Sequence, residues 1–129
     1  LPMYWKKSWR NMQMKKWYDE QYSFQVEVIA VSHNNVTEHH CRNGEQVGDV
    51  FTCGYGCPVN QCGQGICSKT MMILFPMMEA VRSGGSLLNL GGDSDTSREF
   101  LCPDGVVKYR LTANKNNNDN FHRNSHYQE

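Results

Sequence analysis

From Ser23 onward the chain alternates. Phe24, Val26, Val28 and Ala30 fall on one side and Gln25, Glu27, Ile29 and Val31 on the other, the period-two pattern of a strand with one buried face. A second alternation over residues 47–52, entered through Gly44 and Gly48, predicts another short strand. Residues 53–67 contain four glycines and one proline among fifteen positions, which leaves no helix or long strand there. Helical spacing runs from Ser68 to about Arg82, with Met72, Phe75, Met78 and Glu79 marking the turns and Ser68 placed to cap them. Pro76 must kink that helix or split it, and Ser83, Gly84 and Gly85 stop it. Residues 87–97 read as a loop rich in glycine and aspartate, 100–102 as a short strand, and 106–111 as a better one. Together these elements predict an α+β core over residues 21–113. In it a small antiparallel sheet packs against one Pro-kinked helix.

The flanks have a different character. In residues 1–20, Trp5, Trp9 and Met12 stand at i, i+4 and i+7, and Trp17 follows Trp9 by eight, so they share one helical face. Lys6, Lys7, Arg10, Lys15 and Lys16 precede the first acid, Asp19, and Pro2 suits a first helical turn. The segment is expected to be an added basic amphipathic helix or arm. Trp5, Trp9, Met12 and Trp17 would face a partner protein's groove, a membrane surface or the chain's own domain. It lacks the contiguous apolar run of a secretory signal. The tail, residues 114–129, holds six asparagines and almost no apolar side chains, too little to offset its own ordering entropy.

A length of 129 residues suits a single core, and its hydrophobic share of 39% suffices for a modest one. No run of 18 apolar residues occurs, so no transmembrane helix is expected. Thirteen basic against thirteen acidic residues leave no net charge, which argues against a nucleic-acid partner. A phosphate-binding glycine loop, a Gly-x-Ser-x-Gly elbow and a His-Glu-x-x-His helix are all missing, which removes the commonest nucleotide, serine and zinc hydrolases. Asp93 and Asp95 resemble half of a calcium loop, but no acid follows at its twelfth position.

Six cysteines carry the candidate chemistry. Cys53, Cys57, Cys62 and Cys67 lie within fifteen residues at spacings C-x3-C-x4-C-x4-C. Four thiolates on one glycine-rich loop could hold a four-iron four-sulfur cluster or a zinc ion, because backbone N–H groups can turn toward the sulfurs. The spacing matches neither paired zinc knuckles nor the usual ferredoxin run. An even cysteine count also fits a disulfide-stabilised secreted domain. Cys41 beside His39 and His40 leaves room for a third reading, a small cysteine-dependent enzyme.

Taken in order, Cys41, Gly44, Val47, Gly48, Asp49, Phe51, Gly65, Cys67, Pro76, Gly84, Gly85, Cys102, Pro103 and Asp104 resemble the motif series of a small uncharacterised prokaryotic family common among anaerobes. That family reads Cys-x-x-Gly-His-x-x-Gly-Asp-x-Phe, then Gly-x-Cys-Pro ahead of a helix with an internal proline, then Gly-Gly and Cys-Pro-Asp. The resemblance covers about ninety residues. Here Glu45 stands in place of the family histidine, Ser68 in place of the proline after Cys67, and the tryptophan usual near Asn89 is missing. Cys53, Cys57 and Cys62 are additional to the pattern. The resemblance implies an α+β fold and a cytoplasmic setting, and it supplies no activity.

The sequence thus leads to a metal-binding accessory subunit of a larger enzyme complex, electron-transferring or structural and not catalytic by itself, with an iron–sulfur cluster or zinc on Cys53, Cys57, Cys62 and Cys67. An alternative centre uses the family cysteines Cys41, Cys67 and Cys102 with His40. The competing readings are the secreted binding domain and the cysteine-dependent enzyme.

Overall fold

A computed structural model describes residues 17–32 and 41–116. Residues 20–116 form one compact unit. Of a second unit, which takes in both termini, only residues 17–19 are described.

The sheet has four antiparallel strands: β1 (Tyr22–Val31), β2 (Val50–Cys53), β3 (Ser97–Leu101) and β4 (Val107–Lys115), in the order β2-β1-β4-β3. One helix, α1 (Ser68–Arg82), covers the apolar face, so the unit is an α+β domain. Phe24, Val26 and Val28 of β1, Phe51 of β2 and Val107, Tyr109, Leu111 and Ala113 of β4 pack with Leu74, Met77, Met78 and Val81 of α1 in a single core. These are alternate strand positions and helix positions three and four apart, as the two periods require.

The alternation in β1 breaks once. Val28 pairs with Tyr109 and Ala30 with Lys108, leaving Ile29 as an extra residue in a bulge. The phase therefore slips by one. Ala30, expected in the core, is exposed, and Val31 packs on the core instead. At the other end β4 continues to Lys115, pairing Asn114 with Ser23 and Lys115 with Tyr22. Asn116 then donates from its backbone N–H to Gln21 O (2.8 Å) and from its side chain to Glu20 O (2.9 Å). The first residues of the expected polar tail are thus held by β1, through backbone pairing that composition does not reveal.

The helix spans the predicted residues without splitting. Pro76 has no N–H to give Met72, but both lie on the exposed face, where water can satisfy the carbonyl. Its N-cap is Cys67 rather than Ser68, and no side chain caps it. The predicted second strand starts three residues late, because residues 46–49 turn. Asp49 accepts from Gln46 N–H through Oδ2 (2.8 Å) and donates its own N–H to Gln46 O (3.0 Å). A 3-10 turn, Leu87–Leu90, capped by Ser86 Oγ, interrupts the expected loop before β3.

After this turn the chain passes Gly92 so closely that an added Cβ would lie 2.4 Å from Ser97 O and 2.7 Å from Leu87 O. Both obstacles are backbone and cannot rotate away. Gly92→Ala is therefore expected to lower stability by about 1–3 kcal/mol in urea unfolding. A loss within a few tenths of a kcal/mol would mean that the loop relaxes freely.

Candidate functional site

Three separated segments meet at the amino end of α1. The first is the turn after Cys41, closed by Gly44 N–H donating to Cys41 O (2.9 Å), with Gly44 in the left-handed region at φ 76°. The second is the run from Gly65 through Cys67 into the helix. The third is the tight turn from Cys102 to Gly105 joining β3 to β4, where Cys102 N–H donates to Val107 O (2.9 Å) and Val107 N–H points to Cys102 Sγ (3.4 Å).

Glu45 ties them together. It is only 5% exposed and forms no ion pair among the described residues, so hydrogen bonds offset its burial there. Its Oε2 accepts from Cys67 N–H (2.9 Å) and from the Asn43 side-chain amide (2.7 Å), and its Oε1 accepts from the Tyr109 hydroxyl. Because Tyr109 donates to the carboxylate, Thr70 Oγ1 must donate to Tyr109 Oη across their 3.0 Å contact. Burial, reinforced by the bond to Glu45, pushes the Tyr109 hydroxyl well above the ordinary tyrosine range.

Two cavities flank this network. A small one of about 20 Å³ is lined by Cys41, Cys67 and Cys102 together with Thr70, Tyr109, Arg42, Lys69 and Asp104. Its volume suits one water-sized body. Lys69 pairs with Asp104 at 3.2 Å on its rim. The other is a cleft of about 240 Å³, lined by Asn43, Gly44, Glu45, Asp49, Phe51, Asn60, Gln64 and Gly65. Cys41, Gly44, Asp49, Phe51, Gly65, Cys67, Cys102 and Asp104, spread over more than sixty residues of the motif series, all line one cavity or the other.

The four loop cysteines are not brought together in the same way. Cys53 sits in β2 with Sγ 3.9 Å from Met78 Sδ, against the core. Burial pushes its thiol up, against the opposing effect of Arg82, and nearby Cys57 adds to the rise. Met78 is eleven residues into the helix from Cys67, about 16 Å along its axis. Tetrahedral bonds of about 2.3 Å need sulfurs within about 4 Å of each other, so Cys53 and Cys67 do not share such a centre in this arrangement. Cys57 and Cys62 are exposed. The Cys62 N–H instead helps shape a turn by donating to Asn60 Oδ1 (2.9 Å). All six cysteines are free thiols, and among the described residues no group of three or more His, Cys, Asp or Glu side chains is set to hold a metal ion as it stands.

Trp5, Trp9, Met12, His39 and His40 lie outside the described residues; Trp17 is 73% exposed. Sequence reading passed over Asn43, Thr70, Lys69 and Tyr109. It noted Glu45 only as a departure from the histidine of the resembled motif, although an acid directly after the Gly44 turn was the available signal. Compared with known protein families, curated proteins and solved structures, the chain matches none.

Proposed function

We propose that this chain is a small metal-binding accessory subunit of a larger enzyme complex, with its centre at Cys41, Cys67 and Cys102. The observation that supports it is that three cysteines from three distant segments line one small cavity. Thiolates are soft donors that select zinc or iron–sulfur centres. Zinc on the three cysteines, with a fourth donor from His40, which lies outside the described residues, is the preferred form. Arg42 and Lys69 line the same cavity and would offset part of the negative charge of three thiolates. The accessory role is supported by Met72 (75% exposed) and Phe75 (50%), which leave an apolar stripe on the outer side of α1.

Anaerobic purification with zinc, iron and sulfide analysis tests the centre. About one zinc per chain is expected, lost in Cys102→Ser and retained in Cys57→Ser. The reverse pattern would move the centre to residues 53–67. A metal-free chain with six reactive thiols would sink the metal reading.

A further inference from the structure

We infer that Asn43 and Glu45 are positioning residues for Cys67, a clamp that sets where this thiol stands toward Cys41 and Cys102; the inference rests on the thiol centre proposed above. Cys67 lacks the usual means of being fixed. It occupies the N-cap of α1, where no side chain caps the helix, and its own side chain is the one needed for chemistry. Its backbone is held from outside instead. Glu45 Oε2 receives the Cys67 N–H at 2.9 Å, and the Asn43 amide bridges that same carboxylate oxygen (2.7 Å) and Gly65 O (3.1 Å). Two groups from one turn thus grip the chain at Gly65 and at Cys67.

That turn begins at Cys41, another of the three thiols. The clamp therefore fixes Cys67 relative to Cys41, and the second carboxylate oxygen, through the Tyr109 hydroxyl, fixes both relative to β4. Partners of this kind, which orient a ligand without touching the metal, commonly change metal affinity by about 10–100-fold when removed. A carboxylate does this better than a neutral group, because bonds to it are about twice as strong. Gln at position 45 keeps the arrangement possible: its oxygen can accept from Cys67 and Asn43, while its amide donates to Tyr109 and Tyr109 turns to donate to Thr70.

The test uses the full chain, with zinc affinity read by competition against a chromophoric chelator and thiolate ligation read from the cobalt(II) charge-transfer band. Glu45→Ala is expected to weaken zinc about 10–100-fold. Glu45→Gln should restore it to within about fivefold of wild type, with the wild-type cobalt spectrum. Asn43→Ala, at an exposed position that cannot unfold the core, should weaken zinc in the same direction. A folded Glu45→Ala chain with a lowered melting point and wild-type affinity would show a merely structural role and overturn the clamp. If Glu45→Ala fails to fold, wild-type affinity in Asn43→Ala overturns it instead. Loss of zinc in Cys102→Ser with no change in the clamp variants refutes the clamp alone, whereas a wild-type chain that takes up no zinc refutes the centre and the clamp together.

Discussion

Tyr109→Phe is expected to destabilise the domain by about 2–3 kcal/mol and to remove part of its sensitivity to alkali. The ring itself is not at issue. Tyr109 is fully buried and stacks on Phe100 with centroids 5.2 Å apart, and phenylalanine keeps that packing. What is lost is the hydroxyl, a donor to the Glu45 carboxylate and the acceptor for Thr70. A hydrogen bond to a charged group contributes about 1.5–3 kcal/mol, and both partners remain buried without a substitute. The pH effect follows from linkage. The folded-state hydroxyl titrates well above the ordinary value near 10, so the protonated form favours the folded chain. Below about pH 10 both states are protonated and the contribution is complete. Above it the unfolded chain ionises while the folded one does not, and stability falls by about 1.4 kcal/mol per pH unit until the folded group also titrates. Urea unfolding of wild type and Tyr109→Phe from pH 8 to 11 checks both points. Parallel curves above pH 10 would mean that Tyr109 titrates normally in the fold.

The parts of this molecule that were legible in the sequence are those whose periodicity is uninterrupted. The extent of helix α1 was readable because Gly84 and Gly85 follow it, but its inward face was not: of the expected Met72, Phe75, Met78 and Glu79 only Met78 is buried, and Leu74, Met77 and Val81 complete the packed side while Met72 and Phe75 face out. Strand β1 was readable until Ile29, where a bulge inverts the pattern for a reason that lies in the register with β4. The ends of β3 and β4 were misplaced for the same reason. Their residues Ser97, Arg98, Asn114 and Lys115 are polar, and it is pairing across the sheet that makes them strand.

The site follows a similar rule. The loop cysteines stood out because they are close in sequence, yet Cys53 is drawn into the core by β2 while Cys57 and Cys62 face solvent. Cys41, Cys67 and Cys102 are far apart in the chain and meet only through the antiparallel hairpin of β3 and β4 and the start of α1. Proximity in space came from topology.

Arg82→Ala is expected to lower stability by about 3–5 kcal/mol and to loosen the chain just after Cys53. Arg82 ends α1 with its side chain only 12% exposed. Its Nη2 donates to Gly54 O (2.7 Å), its Nη1 pairs with Glu79 (2.5 Å), and its Nε faces the Glu20 carboxylate at 3.5 Å without an aligned hydrogen bond. The guanidinium also lies against two rings, 4.9 Å from the centroid of Phe24 and 5.0 Å from that of Tyr55. A planar cation can serve all five neighbours at once, which an ammonium on a flexible stem cannot. Truncation breaks the charged hydrogen bonds to Gly54 O and Glu79 and withdraws the guanidinium from two rings, hence the size of the expected loss. It also removes the charge that opposes the rise in the Cys53 thiol, and it takes away the guanidinium against which Tyr55, two residues after Cys53, rests its ring. Two measurements are decisive. Urea unfolding should report the loss in Arg82→Ala, with only partial recovery in Arg82→Lys. Thiol labelling with a neutral alkylating reagent under native conditions should reach Cys53 faster in Arg82→Ala than in wild type, because access improves as the loop opens. Stability within about 1 kcal/mol of wild type together with unchanged labelling of Cys53 would mean that the helix end and β2 hold this loop without Arg82.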